Sequence, residues 1–84
     1  MQNCKNLIVW KKAHELVLYV YKLTAVYPKV EQFGLTSQLR RAAVPIPTNV
    51  AEGCGKYTQS DRVNYFQTAL GSANEVEYLF NPLT

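Results

Sequence analysis

Residues 40–56 read "RRAAVPIPTNVAEGCGK", two prolines set inside what otherwise has the spacing of a helix. At 100° per residue, Leu39, Ala42, Ala43, Ile46, Val50 and Cys54 share one face, and Arg40, Val44, Pro47 and Ala51 form a second stripe beside it. Pro45 has no amide to offer the carbonyl of Arg41, and Pro47 has none for Ala43. Each such loss costs about 3 kcal/mol in a helix interior. Two conformations satisfy the pattern: one kinked helix with freed carbonyls, or two short helices broken near Val44 to Thr48. The 3.6-residue period runs through both prolines without a phase shift, which favours the kink. Gly53 and Gly55 then supply the left-handed or unstrained positions on which helices end, and Lys56 sits near that negative end.

A helix precedes this stretch and another follows it. Val9, Ala13, Leu16, Val20, Leu23 and Tyr27 recur at alternating intervals of four and three, and Pro28 ends the segment. Trp10, Val17, Leu18, Tyr19 and Tyr21 lie beside or away from that stripe, so the helix is too apolar for a single seam and predicts more than one neighbour. Glu31-Gln-Phe-Gly34 reads as a turn. After Gly55, Thr58-Gln-Ser-Asp61 has capping-box spacing. Val63, Phe66, Leu70, Ala73, Val76 or Glu77, and Phe80 continue an apolar stripe, with Gly71-Ser72-Ala73 as a close-packing patch, up to Asn81-Pro82. The spacing predicts helices over roughly 7–27, 36–54 and 59–80 in a single domain spanning 1–84.

The 84 residues are 48% hydrophobic and 18% charged, too apolar for a disordered chain. No apolar run approaches the ~18 residues of a spanning helix. Lys11 and Lys12 interrupt the nearest approach to a signal-peptide core, so a cytoplasmic location and no membrane partner are expected. Cys4 and Cys54 form no C-x-x-C pair; a disulfide framework and a zinc site are not expected, with Cys54 a small core residue and Cys4 a terminal thiol. A domain this small buries only about 60–65% of its unfolded surface, which makes self-association useful.

Chemical motifs fail in turn. Gly53-Cys-Gly55-Lys56 lacks the spacing of a phosphate loop and follows a helix instead of a strand. His14-Glu15 opens like H-E-x-x-H, yet position 18 is Leu, so a packing or surface role is expected for His14. Asn49 and Glu52, with Arg41 two to three turns earlier, suit a structural polar network better than an acid–base pair, because no nucleophile or second carboxylate accompanies them. No catalytic residue, cofactor or metal ligand is predicted, and the chain reads as a non-enzyme.

The segments "VWKKAHELVLYVY", "FGLTSQLRRAAVPIPTNVAEGCGK" and "RVNYFQTALGSANEVEYL" closely resemble the 23S ribosomal RNA intervening-sequence proteins, which are similar to the accessory proteins of diversity-generating retroelements. The resemblance runs from Leu7 to Leu79 and centres on R-R-A-A-x-x-I-P-x-N-x-A-E-G. It implies a bacterial, cytoplasmic, all-α up-down bundle of the four-helix type, without established enzymatic activity, assembled as a homo-oligomeric ring with a pentamer the expected form. The family's fourth helix has no counterpart in "FNPLT". The expected consequence is an open core groove, whether a partner chain fills it or the gene is shortened.

Nine Lys/Arg against six Asp/Glu give a net charge of +3. Lys11, Lys12, Arg40, Arg41, Lys56 and Arg62 are the candidate nucleic-acid contacts. In a ring each charge is multiplied by the number of subunits, which turns a weak patch into a strong field. Salt bridges to Glu15, Glu52 and Asp61 are the competing use of the same cations. Tyr19, Tyr21, Tyr57 and Tyr65 are candidates for base stacking or for bundle packing. Arg40, Arg41, Val44, Pro45, Pro47, Asn49, Ala51 and Glu52 are the candidate structural or oligomer-interface residues. The expected function is an oligomeric adaptor for RNA, DNA or a nucleic-acid enzyme; the alternative is a protein-interaction module without nucleic-acid binding.

Overall fold

Helix α1 (Ile8–Thr24) buries Ala13, Val20 and Thr24, with Trp10, Leu16, Val17 and Tyr27 packed against the same core. It comes from a computed structural model that describes residues 7–80. Val9 of the predicted stripe stays more than half exposed. Regular α-bonding stops at Thr24 instead of Tyr27 because the last turn tightens. The amides of Val26 and Tyr27 donate three residues back, to Leu23 and Thr24, at 3.3 and 3.1 Å, just before Pro28. A single 3-10 turn, Lys29–Glu31, begins the connection. The Glu31 carboxylate then accepts the Leu35 amide at 3.4 Å, at the positive end of the next helix.

That helix is α2 (Leu35–Ala43), followed at once by α3 (Pro45–Cys54). Val44 between them has φ −57° and ψ −40°, so the backbone stays helical while the hydrogen-bond ladder lapses. Of the two conformations compatible with the prolines, this is the continuous rod interrupted in its bonding. Leu39, Ala42, Ala43, Ile46 and Val50 are all buried on one side of it, as the period predicts. The glycines act differently from expectation. No described glycine has positive φ, and Gly55 ends α3 in the right-handed region. Gly53 lies inside α3, where an added Cβ would come within 2.7 Å of the Phe66 ring. Its missing side chain permits close approach to α4; it is not a left-handed terminator. Cys54 is half-buried and disulfide-bonded, contrary to the expectation of a small core residue and no disulfide. The expectation for Cys4 falls outside the described residues.

Helix α4 (Gln59–Phe80) starts on Thr58, whose hydroxyl accepts the Asp61 amide at 3.2 Å. Its buried face follows the predicted stripe in the second half, at Ala73, Val76 and Phe80, and departs from it in the first. Ala69 and Val76 are buried and Arg62, Tyr65, Ser72, Ala73, Leu79 and Phe80 half-buried, whereas Val63, Phe66 and Leu70 of the predicted stripe are 42%, 41% and 61% exposed. In the first half of α4 Ala69 takes the buried place, while Phe66 and Tyr65 pack over the missing side chain of Gly53. Gly71 faces open space and packs nothing.

The rods run up, down and up. Helix α1 and helix α4 each pack on α2 and α3, and among the described residues no Cα of α1 comes within 8 Å of a Cα of α4. The product is an all-α bundle in which the α2–α3 rod is flanked on two sides and the space between α1 and α4 stays open.

Candidate nucleic-acid interface

The six candidate cations separate into three settings. Arg40, in the last turn of α2, is held against the end of α1. Its Nε donates to Thr24 Oγ1 at 2.9 Å and its guanidinium to the Tyr21 carbonyl at 3.4 Å. The guanidinium carbon lies 4.5 Å from the centre of the Tyr21 ring, within cation–π range. Thr24 is itself buried and donates to the Val20 carbonyl at 2.7 Å. Local chemistry sets this up, since a threonine in a helix readily bonds the carbonyl four residues back and keeps a lone pair for a second donor. Arg40 therefore staples α1 to α2. Its neighbour Arg41 is exposed and has neither ion pair nor hydrogen bond among the described residues. Both arginines line a cleft of about 520 Å³ together with Tyr21, Phe33, Ser37 and Val44.

Lys56 and Arg62 are used within the chain. Arg62 Nη1 donates to the carbonyls of Lys56 and Tyr57 at 3.0 and 3.1 Å, closing the turn between α3 and α4. Lys56 Nζ lies 3.9 Å from Glu52 and 5.0 Å from the Tyr65 ring centre. The competing salt-bridge use holds for this one lysine, in the only ion pair among the described residues.

Lys11 and Lys12 are exposed on α1. Lys12 stands at the rim of the space between α1 and α4, an apolar trough of about 420 Å³ lined by Leu16, Ile46, Val50, Phe66 and Leu70. His14 stacks on Trp10 with ring centres 5.1 Å apart, a surface packing role. Because α1 runs antiparallel to the α2–α3 rod, Arg40 meets the last turn of α1 while Lys11 and Lys12 lie toward its start. The six cations do not form one patch.

The candidate interface residues divide in the same way. Asn49 donates to the Pro45 carbonyl at 2.8 Å within its own helix. Glu52 pairs with Lys56, and no bond joins either of them to Arg41. Val44 is exposed, and Pro45, Pro47 and Ala51 are half-buried. Two placements were not read from the sequence, Thr24 as the acceptor for Arg40 and Phe33 on the wall of the cleft. An aromatic beside Gly34 in a polar turn was the available signal for Phe33. Thr24 gave none, because its importance depends on Arg40 sixteen residues later arriving beside it.

Among the described residues no group of three or more His, Cys, Asp or Glu side chains gathers where a metal would bind. None of the described helices is long and apolar enough to cross a membrane. No curated protein matches the chain. The family model for the 23S rRNA-intervening sequence protein matches residues 5–83. With the bundle, the arginine pair and the interrupted rod in place, that match over nearly the whole length means that the chain belongs to the 23S rRNA-intervening sequence protein family.

Proposed function

We propose that this chain is a non-enzymatic, homo-oligomeric adaptor that binds nucleic acid, or an enzyme carrying nucleic acid, through its basic surface. One observation supports this above others. Lys11, Lys12 and Arg41 are exposed without an ion-pair partner among the described residues, while Lys56 and Arg62 are engaged within the fold. Unpaired cations on a protein of net charge +3 attract a polyanion, and self-association repeats them around the assembly. A pentameric ring is the form we assign. The test is binding of RNA and DNA at rising salt, beside the molar mass of the chain by light scattering. Affinity should fall steeply with salt and weaken on Lys11→Gln, Lys12→Gln or Arg41→Gln, and salt-independent retention would count against the proposal.

The apolar trough between α1 and α4 favours a second reading, a module that recruits protein without nucleic acid. That alternative expects a discrete assembly with no retention on nucleic acid at low salt.

A further inference from the structure

We propose that the cleft between the last turn of α1 and helix α2 is a site for single-stranded nucleic acid, with an unpaired base against Phe33 and Tyr21 and its phosphate on Arg41 and Arg40. The proposal rests on the nucleic-acid function above and names the site and the form of the ligand.

The lining is selective in charge. Its nine residues include two arginines and no carboxylate, so it suits an anion and disfavours a cation. Arg40 is already oriented. Two of its five N–H groups are taken by Thr24 and the Tyr21 carbonyl, leaving three in a fixed fork suited to phosphate oxygens. Arg41, one residue on, is exposed and unpaired and supplies a second charge. Lys56 contrasts with both, because Glu52 stands beside it.

The lining is also aromatic where a base would need it. Phe33 is 90% exposed, on the turn before α2, and Tyr21 on the opposite element is 40% exposed with Arg40 over one ring face, leaving a base its other face or edge. Bases of any sequence stack on such rings because every base has a π-face. Gln32 and Ser37 at the same cleft add an amide and a hydroxyl for base edges or sugar. The volume of about 520 Å³ lies within the range of pockets that hold small ligands.

A duplex cannot use this arrangement. Its bases are stacked on each other and offer no free face to Phe33, and the cleft presents a turn instead of a helix fit for a groove. An acidic protein segment would satisfy the arginines but gives the rings no base to stack on.

The 84-residue chain is titrated into labelled single strands of RNA and of DNA, about 12 nucleotides long, and into the same RNA as a blunt duplex, from ~50 to ~200 mM salt. Single strands should bind at least about tenfold tighter than the duplex, and Phe33→Ala should weaken them about 5- to 50-fold with the salt slope unchanged. Phe33→Tyr should restore binding. Arg41→Gln should reduce the slope of log K against log salt by about 0.7. Both side chains are exposed, so thermal melts of the variants should match the parent. Equal affinity for strand and duplex, with Phe33→Ala neutral, overturns the site and leaves the adaptor function standing. Absence of binding to every oligonucleotide at low salt removes both. Polyglutamate binding as tightly as the oligonucleotide overturns the assignment of the ligand.

Discussion

Replacing Gly53 by Ala tests the idea that α3 and α4 are held together by a missing side chain. The backbone raises no objection, because no described glycine has positive φ, and alanine is the better helix former by up to about 1 kcal/mol. The obstacle is steric. A Cβ on residue 53 would lie 2.7 and 2.9 Å from Phe66 Cε1 and Cδ1 and 3.0 Å from Tyr65 Cβ, against an ordinary carbon contact of about 3.5–4.0 Å. Contacts this short belong in the upper half of the about 1–3 kcal/mol that overpacking costs, so after the gain in helix propensity the net effect should be a loss of about 1–2 kcal/mol. At about 4–8 °C per kcal/mol for a domain of this size, the melting temperature should fall by roughly 4–16 °C. Phe66→Ala removes the two shortest contacts. In that background Gly53→Ala should come within about 0.5 kcal/mol of neutral, the remaining Tyr65 contact being offset by the gain in helix propensity. Melts and urea titrations of the parent, both single variants and the double variant give the coupling directly. Additivity within about 0.5 kcal/mol, or stabilisation by Gly53→Ala alone, would refute the close-approach account.

Leu39 is fully buried, so Leu39→Ala should cost about 2.5–5 kcal/mol from a total near 4–12 kcal/mol for 84 residues; a melt with an unmoved midpoint would contradict its central place. Thr24→Val keeps the shape but removes the acceptor for Arg40 Nε and should cost about 1–2 kcal/mol. Combining it with Arg40→Ala should cost less than the two changes separately, and full additivity would show that the staple does not exist in solution. Glu52→Gln breaks an ion pair whose side chains are 36% and 57% exposed, so stability should move by less than about 0.5 kcal/mol. A larger loss, dependent on protein concentration, would place Glu52 in a contact between subunits.

The helices were legible because each obeys a local rule. The apolar period of 39, 42, 43, 46 and 50 predicted the buried side of the α2–α3 rod, and Thr58 was recognisable as the cap that starts α4. The prolines announced an interruption at Val44, and their lack of an amide is a property of the residue itself. The buried face of α4 was not legible in the same way. The predicted stripe holds at Ala73, Val76 and Phe80, but in the first half Val63, Phe66 and Leu70 stay exposed, Phe66 and Leu70 on the trough, while Ala69 takes the core. Which of two adjacent stripes is buried there depends on the neighbour, and on α3 the missing side chain of Gly53 receives Phe66 and Tyr65. The candidate site divides similarly. Charge and composition nominated six cations, whereas packing engaged Arg40, Lys56 and Arg62 in bonds to residues brought near by the turns and left Arg41, Lys11 and Lys12 without an ion pair or hydrogen-bonded side chain among the described residues.

What the sequence by itself determined is therefore the set of helices, the place where the central rod loses its bonding, and the family, since all three follow from residue type and spacing along the chain. Only the tertiary structure decided which face of α4 is buried, which arginine is a staple and which is free, and that α1 and α4 stand apart. Those outcomes depend on distances between residues remote in sequence, where a missing Cβ or a spare lone pair selects among partners that periodicity treats as equal.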